Sequence, residues 1–122
     1  MQRCSVGIIG LGLIGGSIGK RLLQCGWTKN VLGWDRDEHV VGRALASETI
    51  TEACRPEEMV KEVDLLILAT PPSQMVNLSQ RIAPCADEKL KAVTDTASTK
   101  HSLSKELSVI WKERYVGLHP MA

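Results

Sequence analysis

Short apolar runs alternate with segments whose apolar residues recur at helical spacing, from one end of the chain to the other. The first apolar run covers about Arg3–Ile9. It is followed by a helical pattern over about Leu13–Cys25, with Ile14, Ile18, Leu22 and Cys25 on one face and Gly26 as the stop. A second run, about Val31–Trp34, precedes a helix over about Asp37–Ala46, for which Asp37 is a candidate N-cap. A short third strand is expected near Thr49–Thr51, and Pro56 suits the first position of a brief helix. The plainest strand is Asp64–Ala69, where Leu65-Leu66-Ile67-Leu68 is apolar without interruption, as in a strand covered on both faces. Thr70-Pro71-Pro72 ends it, and a helix carrying Met75, Leu78 and Ile82 runs on to stop before Pro84. A fifth strand over about Leu90–Thr94 leads to a helix starting near Ser98 with Leu103, Leu107, Ile110 and Trp111 inward, and a sixth strand is expected over Tyr115–Leu118.

Strands that alternate with helices imply a parallel sheet with crossover helices on both faces. The expected fold is α/β and Rossmann-type: doubly wound, mainly parallel and six-stranded, in the order 3-2-1-4-5-6. In such a sheet the ligand crevice lies at the carboxyl ends of the strands. Gly10, Asp35, Thr70, Asp95 and His119 each fall at or just past such an end.

The first strand flows into Gly10-Leu11-Gly12-Leu13-Ile14-Gly15, a Gly-x-Gly-x-x-Gly run, and Asp35 stands twenty residues beyond Gly15 at the end of the second strand. Each part suits a dinucleotide. Gly10 permits a tight turn off the strand, Gly12 lets the backbone approach a pyrophosphate, and Gly15 lets the helix pack on the strand. The first-turn N–H groups, those of Leu13 and Ile14 among them, have no intrahelical partner and favour an anion. Asp35 accepts from a ribose diol and repels a 2′-phosphate, which favours NAD over NADP, so Asp35→Ala is expected to weaken NAD and improve NADP. Arg36, next along, can soften that repulsion or stack on adenine. Thr70, Pro71 and Asp95 complete the candidate cofactor residues.

The 122 residues are enough for one domain, 1–122, with a core of its own. With 15 basic and 14 acidic residues intermixed and a net charge of +1, the chain has no basic patch that would suit nucleic acid. No apolar run reaches the roughly 18–20 residues that span a bilayer, and no secretory leader pattern opens the sequence. Cys4, Cys25, Cys54 and Cys85 are far apart, without a metal-ligand or disulfide spacing, and read as small buried hydrophobes in a reducing compartment. The expectation is a cytoplasmic protein without membrane, nucleic-acid or metal partners.

Three stretches taken together resemble a known family: Gly10-Leu11-Gly12-Leu13-Ile14-Gly15-Gly16-Ser17, Thr94-Asp95-Thr96-Ala97-Ser98-Thr99-Lys100 and Gly117-Leu118-His119-Pro120-Met121-Ala122. They are similar to the N-terminal, nucleotide-binding domain of the prephenate and arogenate dehydrogenases of tyrosine biosynthesis, and the resemblance covers the whole chain. The first stretch is shared with many dehydrogenases; the latter two, with Ser98 and His119 set 21 residues apart, are far more specific. The resemblance implies an oxidoreductase of aromatic amino acid biosynthesis that oxidatively decarboxylates prephenate or arogenate with hydride transfer to NAD(P)+. It implies that His119 accepts the proton or hydrogen bond of the substrate's ring hydroxyl, and that Ser98 holds that imidazole or contacts the nicotinamide end. The residue types agree: a histidine can be a neutral base near pH 7. Ser98 is equally suited to cap the helix it opens. His39 and His101, in charged company on helices, read as surface residues.

Family members continue into a mostly helical domain that supplies a dimer interface and substrate-clamping arginines, and the expectation is that this domain is absent here. Prephenate has two carboxylates, each suited to a guanidinium, whereas the arginines of this chain mostly fall on helices or near strand starts. The chain is therefore expected to bind NAD with little or no turnover, and apolar surface left bare near Tyr115–Met121 points to self-association, such as a homodimer. Two other readings stay open: an NAD(P)-dependent dehydrogenase of the β-hydroxyacid type, against which the His119-Pro120-Met121-Ala122 ending argues, and a non-catalytic dinucleotide-binding module.

Overall fold

The computed structural model describes residues 4–97 and 101–117, the side chains of His101 and Ser102 excepted. Its elements run β1 (Val6–Ile9), α1 (Leu13–Gln24), β2 (Val31–Trp34), α2 (Glu38–Ala46), β3 (Glu52–Ala53), α3 (Pro56–Glu62), β4 (Leu65–Leu68), α4 (Pro72–Ile82), β5 (Ala92–Asp95) and α5 (His101–Trp111). The five strands form one parallel sheet in the order β3-β2-β1-β4-β5.

The two-residue period of the strands divides the core. In β1, Val6 and Ile8 face one side and Ile9 the other; in β4, Ile67 faces the first side and Leu66 and Leu68 the second. The first face packs Val31, Ala44 and Ile50 with Ile18, Leu22 and Leu23 of α1. The second carries Met59, Met75, Ile82, Leu103, Leu107 and Trp111 from α3, α4 and α5. Burial of this kind contributes roughly 1.5–3 kcal/mol for each large apolar side chain.

Several local expectations hold. Asp37 caps α2, its carboxylate accepting the His39 N–H at 2.9 Å. Gly26, at φ +75°, ends α1 with paired bonds from its own N–H to Leu23 and from the Trp27 N–H to Leu22.

Others are corrected. Among the described residues five strands form where six were expected: beyond β5 a 3₁₀ turn over Lys112–Arg114 takes up the connection, and of the sixth only a parallel bridge of Tyr115 with Val93 is seen there, supported by Val116 N–H to the Val93 carbonyl at 2.8 Å. Leu118, in the expected sixth strand, and Arg3, in the expected first, lie outside the described residues. The third strand is displaced to Glu52–Ala53 because the N–H groups of Thr49 and Ile50 both turn back to the Ala44 carbonyl to close α2. Likewise β5 begins at Ala92; Leu90 is a buried plug whose N–H bonds Asp87.

The face α1 buries is also different. Its buried residues are Gly15 and Gly19, while Ile14 is more than half exposed and Cys25 is exposed. Nor are the cysteines core residues: Cys4 and Cys25 are exposed, Cys54 and Cys85 half-buried, and all four are free thiols. No helix among the described residues is long and apolar enough to cross a membrane.

Candidate functional site

The carboxyl ends of β1, β2, β4 and β5 surround an open crevice of about 620 Å³. Gly10, Gly12, Leu13, Ile14, Asp35, Arg36, Thr70 and Pro71 line it, so residues scattered over sixty positions share one rim. Thr96 and Ala97 add a wall from the end of β5, and Trp34, Gln74 and Ala69 were not singled out in the sequence. The strand-end rule that found Thr70 would also have found Ala69, Thr96 and Ala97.

The turn from β1 into α1 is held from three sides. Gly10 takes φ +100°, and a Cβ there would stand 2.6–2.8 Å from the backbone of Ala69 and Thr70. A Cβ on Gly15 would collide with the Gly10 carbonyl oxygen, so Gly15 works behind the turn and does not line the crevice. Gly10 N–H bonds the Trp34 carbonyl at 2.8 Å. Gly12 differs: it is the N-cap of α1 at φ −72°, and a Cβ built on it meets no protein atom within 4 Å. No side chain caps α1 and its first turn holds no acid. The opening N–H groups of α1 therefore have neither a side-chain cap nor a first-turn acid of their own, a setting that favours a bound anion.

Asp35, half-buried at the end of β2, accepts backbone N–H groups on both oxygens: from Leu11 at 2.8 Å and from Asp37 at 2.9 Å. Each oxygen keeps a second acceptor site, sufficient for a diol. Thr70 Oγ1 is buried with no hydrogen-bond partner among the described residues, although Thr70 lines the crevice. An adjoining pocket of about 290 Å³ shares Trp34, Arg36, Thr70 and Gln74 and brings in Ser73, Asn77 and Arg81. Arg81 is thus nearer the site than expected, ion-paired at 3.1 Å with Glu57.

Asp95, expected as a cofactor contact, has a protein partner in this structure. It is only 6% exposed, does not line the crevice, and accepts the Tyr115 hydroxyl at 3.2 and 3.3 Å on its two oxygens. Burial first, then the nearby Asp95 carboxylate, push the Tyr115 phenol above its ordinary range against a hydrogen bond with Ser104 that lowers it. Ser98 and His119, the candidate catalytic pair, lie outside the described residues, as does Lys100. His39 is exposed on α2.

A parallel sheet, a glycine turn opening α1 and a carboxylate on the neighbouring strand define the dinucleotide-binding α/β class. Residues 18–122 match the family described as "Prephenate dehydrogenase, nucleotide-binding domain", and the chain belongs to that family. It is 35% identical over 118 residues to a prephenate dehydrogenase of Lactococcus lactis subsp. cremoris, and 32% identical over 120 residues to one of Bacillus subtilis. Each alignment covers 94% of this chain but 33% and 32% of those proteins, so the chain spans about a third of the length of the curated relatives it matches. The crystal structure of prephenate dehydrogenase from A. aeolicus in complex with hydroxyphenyl propionate and NAD+ superposes with a TM-score of 0.88 at 26% identity, covering 99% of this chain and 43% of that one.

Proposed function

We propose that residues 1–122 form the nucleotide-binding unit of a prephenate or arogenate dehydrogenase and that the dinucleotide held is NAD. The observation that carries this reading is the crevice itself: an uncapped α1 N-terminus and an open Gly12 beside a carboxylate that retains acceptor sites. The NAD+ complex of the A. aeolicus relative supports it.

The residues fit the group. The N–H groups opening α1, including those of Leu13 and Ile14, would hold the pyrophosphate; Asp35 would accept from the adenosine ribose; Arg36, with the side pocket toward Arg81, would face the adenine end. Thr70 and Pro71 form the wall opposite α1. Bound there, the nicotinamide would supply a hydride acceptor. His119 would take the proton of the substrate's ring hydroxyl, and Ser98 would orient that imidazole; their place in the Asp95–Lys100 and Gly117–Ala122 motifs supports these roles. Because loss of carbon dioxide makes the substrate ring aromatic, the protein's task is chiefly to align hydroxyl, hydride and acceptor.

Assayed as the 122-residue chain, the protein is expected to bind the dinucleotide with little or no turnover, since among the described residues Arg36 is the arginine at the main crevice and prephenate has two carboxylates to hold. Self-association is an expectation on the same footing. Calorimetric titration with NAD, NADP, prephenate and arogenate tests the reading. NAD binding tighter than NADP, with weak or undetectable substrate binding, is the expected result; no nucleotide binding at all would refute it.

A further inference from the structure

We propose that Asp35 is the clasp that shapes the phosphate-binding turn, besides being an acceptor for the cofactor's ribose, so that turn geometry and cofactor choice depend on one carboxylate. The proposal rests on the nucleotide-binding reading above and deepens it.

Leu11 lies between the two glycines that make the turn. Its side chain is 5% exposed and anchored in the core beside Ile50 and Gly33. Its N–H belongs to no strand or helix; it crosses 24 positions of sequence to Asp35 Oδ2 at 2.8 Å. The other oxygen holds the Asp37 N–H at 2.9 Å, and Asp37 in turn caps α2 through His39. One side chain thus ties the β1–α1 turn to the β2–α2 loop, on the same rim as the crevice. Only a carboxylate suits this place. Both its oxygens accept, whereas an asparagine would offer an NH₂ donor to one of two facing N–H groups, and alanine would leave both without a partner. The Asp37 N–H is exposed and can bond water, whereas the part-buried Leu11 N–H is costlier to leave without an acceptor, so the turn would shift to find another.

The consequence runs against the simple view of Asp35. If the acid did no more than select the ribose, Asp35→Ala would weaken NAD and tighten NADP. As a clasp, its loss weakens every ligand that uses the turn, including one with no ribose.

The test compares Asp35→Asn and Asp35→Ala with wild type. Asp37→Ala serves as a control that keeps the backbone donor while losing the α2 cap. Hydrogen exchange of the Leu11 amide is read by NMR in the ligand-free chain, with the Ile8 amide as internal reference. Binding is then titrated with NAD, NADP and inorganic pyrophosphate. The clasp predicts Leu11 exchange at least about tenfold faster in both Asp35 variants, as expected for loss of a charged acceptor. It also predicts NAD and pyrophosphate weakened at least about threefold, and NADP no tighter than in wild type. Asp37→Ala should leave Leu11 exchange near wild type. Unchanged Leu11 exchange in Asp35→Asn and Asp35→Ala, or tighter NADP with unaltered pyrophosphate in Asp35→Ala, would overturn it. Should Asp35→Ala fail to fold, the near-isosteric Asp35→Asn carries the comparison. The exchange measurement needs no ligand, so it decides the clasp even where a wild-type chain that bound no nucleotide had already sunk the nucleotide-binding reading.

Discussion

Alanine at Gly10 and alanine at Gly12 should fail in opposite ways, although both glycines belong to one motif. At Gly10, φ is +100°, and the new Cβ would press on the Ala69–Thr70 backbone at 2.6–2.8 Å. A non-glycine residue held in such a conformation costs about 1–3 kcal/mol, and overpacking against unyielding backbone costs about as much again. The sum, roughly 2–6 kcal/mol, is a large part of the roughly 6–18 kcal/mol expected for a domain of this size. At about 4 °C per kcal/mol, Gly10→Ala should melt some 8–24 °C below wild type. At Gly12 the backbone is ordinary and the Cβ meets no protein atom, so Gly12→Ala should cost at most about 1 kcal/mol, through a poorer helix cap. The space that Cβ would enter is where the pyrophosphate must approach, and NAD affinity should fall at least about tenfold. Thermal denaturation by circular dichroism and calorimetric titration with NAD separate the two outcomes. A Gly12→Ala chain that binds NAD as wild type does, or a Gly10→Ala chain that melts within about 4 °C of it, would refute the reasoning.

Two further predictions concern titration. Tyr115 is the single tyrosine of the chain, so ultraviolet absorbance follows its ionisation directly. Burial and Asp95 hold the phenol neutral, and its midpoint should lie above the ordinary value of 10.0; the stability this gives is complete below that value and is lost as pH rises through the folded midpoint. A midpoint at or below 10.0 would contradict the burial of this phenol beside Asp95. Asp64 is held below its ordinary 3.8 by the Ser5 backbone N–H first, then by the Ser5 hydroxyl and Lys89, against a smaller cost of burial. Its contribution is present above the unfolded value and lost as pH falls through the folded one, so Asp64→Asn should lower stability by about 1 kcal/mol at pH 7 and flatten the acid limb of a urea-denaturation series.

The helices and the central strands were legible in the sequence because local rules govern them. Leu65–Leu68 could only be a strand covered on both faces, and Asp37 and Gly26 mark helix ends through hydrogen bonds a few residues long. The outer parts were less legible because tertiary demands decide them. Thr49 and Ile50 read as a strand, yet their N–H groups are taken by the end of α2. Ile14 reads as a core residue by period, but α1 approaches the β1 turn closely at Gly15 and the Thr49 backbone at Gly19, which buries these two glycines and leaves Ile14 at the crevice mouth. At the site, most of the rim followed from the strand ends. The bond of the Tyr115 hydroxyl to Asp95 was not legible, because position at a strand end does not say which side chain will meet it. The Asp35 tether to Leu11 had no sequence signature, since hydrogen bonds to backbone depend on where two distant segments meet.

The central claim is that the opening amides of α1 and the Asp35 carboxylate hold a dinucleotide between them. A crystal structure of the chain grown with saturating NAD tests this most directly. The account predicts the pyrophosphate against the N–H groups that follow Gly12, with the adenosine ribose on Asp35. A glycine turn left empty at saturation, or NAD seated elsewhere on the surface, would contradict it.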